Sequence, residues 1–288
     1  IHTIPVGYTV DGSRGVVDPR GLFGERLGVN THIITALRGP LRNLETAVTR
    51  CHLAVEDIVI SPYASALGCL SDDEKKMGVT CIDMGGGTTS VAVFFDGELV
   101  HSQTLPLGGE HVTNDISRGL VTPLIHAERM KTLYGNVLPS VSDDQQVIQV
   151  PPMGEERMDE GSMVPRSMLV GIVRPRIEEI FEKLRDRLAE SGFDKVAGRG
   201  LVLTGGASQL GGVSELASHI LDKQVRLGRP LAIRGMPEAA AGPTFATCRG
   251  LLNYGLGHGT EEADMDDRTG VQPSGSIGRI GQWLRENF

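Results

Sequence analysis

The chain has 288 residues, 40% of them hydrophobic, which is enough for a sizeable core in one or two domains. Its formal net charge of -8 and pI near 5.5 argue against nucleic acid as a partner, because basic patches supply most of that affinity. The cysteines, Cys51, Cys69, Cys81 and Cys248, include no CxxC pair, so their spacing suggests neither a zinc site nor a disulfide framework, and a reduced, cytosolic protein is the default.

The text opens on Ile1 with "IHTIPVGYTV", which is strand-like and suggests that an N-terminal piece precedes it. "THIITAL", Thr31 to Leu37, is apolar and β-branched and predicts a strand. In "PLRNLETAVTRCHL", Leu41, Leu44, Val48 and Cys51 recur at helical spacing. "EDIVIS" predicts a buried strand, "YASALGCL" a helix start and "GVTCIDM" another strand. "SVAVFFDGELV" predicts two strands turned at Asp96-Gly97. Helices follow in "HVTNDISRGL" and in "PLIHAERMKTLYG", the latter closed by Gly135 as a C-cap. Residues 136 to 165 predict one short strand, "QQVIQV", and loops. "VRPRIEEIFEKLRDRLAESG" is the strongest helix: Val173, Ile177, Ile180, Leu184 and Leu188 line one face and Gly192 ends it. "RGLVLTGGASQL" is a strand running into a glycine turn, with a helix starting near Val213, and "PTFATCRGLLNYG" is a last short helix. Strands alternating with helices predict an α/β fold, without an internal repeat.

From His258 the composition changes. "HGTEEADMDDRTGVQPSG" sets Glu261, Glu262, Asp264, Asp266 and Asp267 against Arg268 with no apolar period, which predicts a solvated, disordered linker. Beyond it, "SIGRIGQWLRENF" is apolar again. At 100° per residue Ile277, Ile280, Leu284 and Phe288 form one stripe, Trp283 sits at its edge, and Arg279 and Arg285 lie off it. That pattern predicts a helix lying in a membrane surface, with the indole and guanidinium groups at the headgroups. Docking on the protein's own core is the plainer alternative.

The stretch "IDMGGGTTS" carries the chemistry. A strand delivers Asp83 to a turn of Gly85, Gly86 and Gly87, where backbone N–H groups can approach an anion without a Cβ in the way. Thr88 and Thr89 add hydroxyls, and the Asp83 carboxylate can hold magnesium through its waters. There is no GKS or GKT, and a hairpin rather than a helix follows, so this is neither a Walker loop nor a dinucleotide fingerprint. A structural glycine turn is the plainer alternative. A second glycine turn, Gly205-Gly206-Ala207-Ser208, follows another buried strand, and the pair suits a nucleotide held separately at its phosphates and its sugar. The eight histidines show no metal-ligand spacing.

Together "IDMGGGTTS" and "LTGGAS" resemble the second phosphate hairpin and the adenosine motif of the actin, Hsp70 and sugar-kinase superfamily. Within it, "DPRGLFGERL", "THIITA", "LGGEHVTNDISRGL", "TPLIHAERMKTLYG", "VLTGGASQL" and "IGRIGQWLRENF" resemble the FtsA family of bacterial cell-division proteins over nearly the whole chain. The resemblance implies an α/β actin-like (ribonuclease-H-like) fold, N-terminally truncated, with a C-terminal amphipathic helix. Residues 1–38 would be the remainder of a small family-specific subdomain and 39–78 the remainder of the first lobe. Residues 79–258 would be the second lobe, with about 97–170 its outer, FtsZ-contacting subdomain and 244–258 a connecting helix. An acidic linker (259–273) and a membrane-targeting helix (274–288) would follow.

The implied ligands are ATP and Mg2+. Gly85, Gly86, Gly87, Thr88 and Thr89 would grip phosphates and Asp83 would organise magnesium through water. Gly108 and Gly109 resemble a third glycine contact at a helix start, where N–H groups and the dipole favour anions. Gly205, Gly206 and Ala207 would flank ribose and adenine. Ile277, Arg279, Ile280, Trp283, Leu284, Arg285 and Phe288 would bind the membrane. The implied role is a peripheral, self-associating adaptor on the cytoplasmic face of the bacterial inner membrane, at the division septum. It would hold the FtsZ C-terminal tail and other division proteins, and would not be an enzyme. The sequence departs from the family twice. No first phosphate hairpin precedes Ile1, so weak ATP binding is expected. Ser61 and Pro62 also stand where hydrolytic relatives place Glu or Gln, so slow turnover is expected. An ATPase or sugar-kinase-like phosphotransferase, or a pilus-assembly or cell-shape actin homologue, are the other readings.

Overall fold

The computed structural model describes residues 1–154 and 161–268. The elements begin with β1 (His2–Val10), β2 (Ser13–Val16) and β3 (Leu27–Ile34), then α1 (Arg38–Arg50), α2 (Ser61–Cys69) and α3 (Asp72–Met77). They continue with β4 (Val79–Met84), β5 (Thr89–Phe95) and β6 (Glu98–Leu105), then α4 (Gly109–Leu120) and α5 (Leu124–Tyr134). The hairpin β7 (Val147–Val150) and β8 (Ser162–Pro165) precedes the long α6 (Arg166–Ser191). The chain closes with β9 (Gly200–Thr204), α7 (Val213–Leu221), β10 (Gln224–Leu227) and α8 (Ala246–Arg268). Residues 1–251 pack as one unit, and a second begins at Leu252 within α8.

The central sheet has the order β10-β9-β4-β5-β6. Its β10-β9-β4 half is parallel and its β4-β5-β6 half antiparallel. The antiparallel half turns at Asp96 (φ 52°) and Gly97 (φ 91°), the left-handed pair a two-residue hairpin requires. Both faces of this sheet are covered, which is why β4, β5 and β9 are nearly continuous apolar runs. Ile82, Met84, Val91, Val93, Leu201 and Leu203 face one core with α4, α6 and α7. Val79, Cys81, Ala92, Phe94 and Val202 face the other, against Ala66 and Cys69 of α2 and Ala246 of α8. The predicted stripe of α6 is the buried one: Val173, Ile177, Ile180, Leu184 and Leu188 all lie in the first core. Pro175 stands inside that helix without an amide to donate.

A separate antiparallel sheet, β2-β1-β3, precedes the main one. α1 follows it with a pronounced apolar stripe but buries none of its residues; Leu44 is 66% exposed. Two expectations change. Glu56–Ser61 forms no strand, because among the described residues it has no β partner; the Ile60 N–H donates to the His2 Nε2 instead, at 3.1 Å. Gly135 caps α5 as expected, and with φ at -63° it supplies space rather than handedness. A Cβ there would sit 2.3 Å from the Lys131 carbonyl oxygen. The backbone of α8 stays helical to Arg268, well past His258, where an irregular linker was expected. The alanine and glutamates of that stretch favour helix, and no proline interrupts it.

α2 and the first turns of α8 meet through bare backbone. A Cβ on Gly250 would fall 1.6 Å from the Ala64 carbonyl oxygen, and one on Gly68 would fall 2.0 Å from that of Ala246. Helix propensity alone favours alanine over glycine by about 1 kcal/mol, so the packing predicts the opposite sign. Gly250→Ala should lower the unfolding free energy by about 3 kcal/mol, the upper part of the usual overpacking range. Urea titration reads this directly, and a stabilised variant would show that the two helices do not cross this closely.

Candidate functional site

The glycine stretch forms the turn between β4 and β5. The Gly85 N–H donates to the Thr88 carbonyl at 2.9 Å, which closes the turn and leaves Gly86, Gly87 and Thr88 exposed at its tip. The carbonyls of Gly85 and Gly86 point at α4: they accept from the N–H groups of Gly109 (2.9 Å) and Glu110 (2.8 Å). Gly108 makes this approach possible, since a Cβ on it would lie 2.4 Å from the Gly86 carbonyl oxygen. Its own N–H donates to the His111 Nδ1 at 3.1 Å. The first amides of α4, expected to face an anion, are therefore spent on the hairpin and on the helix's own side chain. Thr89 is likewise engaged. It is fully buried, and its hydroxyl donates to the Leu107 carbonyl at 2.8 Å.

Asp83 lies on the other face of the sheet, one residue before the end of β4. Its Oδ2 accepts from the Ser65 hydroxyl of α2 at 2.6 Å and from the Thr247 hydroxyl of α8 at 3.3 Å. The Oδ1 side is kept clear by Gly205, which has φ at +86° and whose Cβ would lie 2.3 Å from that oxygen. Gly205 is thus left-handed and sterically confined together. Ser61 is exposed at the first turn of α2, followed by Pro62. Among the described residues no three His, Cys, Asp or Glu side chains gather as direct ligands of a metal.

A cavity of about 760 Å³ opens where these pieces converge. Gly85 and Gly86 from the hairpin, Gly109 and Glu110 from α4, and Gly206 and Ala207 from the turn after β9 all line it. Thr244 completes that wall; its hydroxyl accepts from the Gln209 Nε2 at 3.1 Å. α5 contributes Glu128 and Lys131. The Lys131 Nζ donates to the Glu128 Oε2 (2.7 Å), the Thr113 Oγ1 (2.8 Å) and the Gly109 carbonyl (3.0 Å). Burial alone would raise the Glu128 carboxyl, but the bonds from Lys131 and Thr113 outweigh it and hold it below its usual range. The Glu110 carboxylate lies beside the hairpin: its Oε1 is the atom nearest to a Cβ built on Gly86, at 3.1 Å. Bare backbone leaves room for close approach to the turn, and the Glu110 carboxylate sets negative charge beside it.

Of the residues expected from the sequence, Gly85, Gly86, Gly109, Gly206 and Ala207 meet on this cavity. Gly87 and Thr88 stand at the hairpin tip, and Gly108, Thr89, Gly205 and Asp83 support the walls. Glu110, Glu128, Lys131 and Thr244 were missed. Glu128 and Lys131 are three apart in "HAERMKTLYG", so they share a helix face beside the glycine turns, and that spacing was the available signal. The membrane-binding expectation at Ile277, Arg279, Ile280, Trp283, Leu284, Arg285 and Phe288 lies outside the described residues.

Comparison with known proteins bears on the fold and the family. The family model described as "Cell division protein FtsA" matches residues 80–250, and that for the "SHS2 domain inserted in FTSA" matches residues 1–35. Cell division protein FtsA of Rhizobium meliloti is 46% identical over 295 residues, covering 100% of this chain and 66% of the relative. That of Escherichia coli K12 is 34% identical over 300 residues, covering 100% of this chain and 70% of the relative. The chain thus spans about two thirds of the length of the curated relatives it matches. Among solved structures, MreB5 of Spiroplasma citri bound to ADP superposes with a TM-score of 0.60 at 17% identity over 76% of this chain and 66% of its own. The PilM-PilN type IV pilus biogenesis complex does so with a TM-score of 0.61 at 20% identity over 82% of this chain and 63% of its own. These likenesses mark the fold as actin-like, and the sequence matches decide the family: the chain belongs to the FtsA family of cell division proteins.

Proposed function

We propose that this chain is a nucleotide-binding, actin-like adaptor of the division septum, which tethers FtsZ filaments to the cytoplasmic membrane and helps recruit the division machinery. The observation that carries the nucleotide part is the convergence of two glycine turns and the start of α4 on one cavity. Its volume of about 760 Å³ falls within the usual range for small-ligand sites. ADP is the ligand named for the MreB5 neighbour, and ATP or ADP is the ligand proposed here. Gly86, Gly109 and the hairpin tip would border the phosphates, and Gly206 and Ala207 the nucleoside.

The site suits Mg2+ held through water. A Cβ at position 205 would fill the space beside the Asp83 Oδ1, and glycine keeps it open. Ser65 and Thr247 hold the other carboxylate oxygen in place, which fixes the direction Asp83 offers to a hydrated cation. When bound, the cation would offset part of the negative charge of the phosphates. Ser61 offers neither a carboxylate nor an amide to orient a water, so the nucleotide is proposed as a structural and regulatory ligand, with turnover below about one per second, slow for phosphoryl transfer.

The division role rests on family membership. Residues 97–170 are proposed to take the FtsZ C-terminal tail, and self-association into filaments is proposed to multiply a weak membrane anchor in the 274–288 segment. No helix among the described residues is long and apolar enough to cross a membrane. One amphipathic helix binds a bilayer reversibly, and many on one filament would hold through avidity.

Two experiments test this. In isothermal titration with Mg-ADP and Mg-ATP, binding should be detectable, weaken when EDTA removes magnesium, and vanish in Gly86→Val. That variant should keep its fold, because the atom its Cβ meets is the movable end of Glu110. Unchanged binding in Gly86→Val would sink the phosphate assignment. In flotation with anionic vesicles, Trp283→Glu or removal of residues 276–288 should release the chain. A deleted chain that still floats would place the anchor elsewhere.

A further inference from the structure

The Lys131 ammonium makes three hydrogen bonds at the cavity wall. Its side chain is 15% exposed, and its three protons have three acceptors: the Glu128 Oε2, the Thr113 Oγ1 and the Gly109 carbonyl. The last of these matters for the glycine hairpin. The Gly109 carbonyl and the Glu110 N–H belong to one peptide unit, and the Glu110 N–H donates to the Gly86 carbonyl at 2.8 Å. A cation on the oxygen of a peptide polarises the N–H at its other end, so the two hydrogen bonds strengthen each other. The preceding amide, that of Gly109 itself, holds the Gly85 carbonyl at 2.9 Å. A single peptide plane therefore separates the ammonium from the turn that borders the cavity.

We infer that Lys131 is a positioning residue, which sets the geometry of the Gly85–Gly86 turn through the Gly109–Glu110 peptide. Glycine at 109 allows the arrangement, since a Cβ there would stand only 3.5 Å from the Lys131 Nζ. The Thr113 hydroxyl lies 3.1 Å from the same carbonyl, but its one proton is drawn to the closer Glu128 Oε2, which leaves Lys131 as the main donor to the carbonyl. Glu128 keeps the ammonium neutralised, so the charge facing the hairpin is the local dipole of the peptide rather than a free cation. The meaning of the turn as a phosphate cradle rests on the nucleotide reading above, but the relay is a property of the protein without ligand.

Amide hydrogen exchange on the full chain, without ligand, tests this. It compares wild type, Lys131→Met, Lys131→Gln and Lys131→Arg, with exchange at the turn expressed relative to the core helix α6, so that a general loss of stability cancels. In Lys131→Met, segments covering Gly85 to Thr89 and Gly109 to Glu110 should exchange about tenfold faster on this scale. That is the change expected from loss of one charge-assisted hydrogen bond. Lys131→Arg should restore most of the protection. Lys131→Gln, which keeps a neutral donor, should fall between them and stands in if the methionine variant does not fold. Faster exchange confined to residues 124–134, with the turn unchanged relative to α6, would overturn the inference and leave Lys131 as a local partner of Glu128. The readout needs no nucleotide, so failure of the relay and failure of the nucleotide reading are separate outcomes.

Discussion

Two hydrogen bonds hold the architecture of the site: those from the N–H groups of Gly109 and Glu110 to the carbonyls of Gly85 and Gly86. The first amides of a helix have no partner within it, and the turn of a hairpin leaves carbonyls that need donors. Each end here completes the other. The arrangement ties the most exposed point of the central sheet to α4, whose Val112 and Ile116 are anchored in the core against α6. Rigidity at the cavity wall is thus inherited from a buried helix pair rather than generated within the loop. Gly108 is the condition for it, because any side chain at that position would push the carbonyls out of reach.

The rest of the site is organised by the alternation of side chains along β4 and β9. Met84 and Leu203 turn toward α4, α6 and α7, whereas Asp83 and Thr204 turn to the opposite face. The group suited to a hydrated cation and the loop suited to an anion consequently approach the same sheet edge from opposite sides. They do so beyond the carboxyl ends of the parallel strands, where open α/β sheets place their ligands. Gly205 sits at the crossing point, with its left-handed backbone against Asp83.

Much of this was legible in the sequence wherever the signal is local. Asp96-Gly97 specifies its turn by backbone handedness alone, and the five-residue stripe of α6 specifies its buried face by period. The glycine turns announced themselves through their unfavourable entropy. What escaped depends on neighbours distant in the chain. Glu56–Ser61 has the composition of a strand, but a strand exists only where another pairs with it. The short strands β8 and β10 carry too few apolar residues to show a period, and they are defined by β7 and β9. For Gly108 and Gly135, glycine was legible but one reason for it was not: each lets backbone approach closely, Gly108 to the Gly86 carbonyl and Gly135 to that of Lys131. Lys131 was passed over because a lysine on a helix is ordinarily a solvated charge; only the position of the Gly109 carbonyl distinguishes this one.

The uncovered stripe of α1 has a consequence for the behaviour of the chain in solution. With Leu44, Val48 and the neighbouring Leu37 and Leu53 facing water, hydrophobic attraction between copies is always available. At neutral pH the net charge of -8 opposes it. That repulsion disappears near the pI of about 5.5, where the net charge falls to zero. Colloidal stability is therefore set by two terms with different dependences: contact between stripes persists with added salt, whereas the opposing charge is screened over about 10 Å at 0.1 M. Mild acid and high ionic strength should each bring copies together by removing the same barrier, without any change in the fold itself.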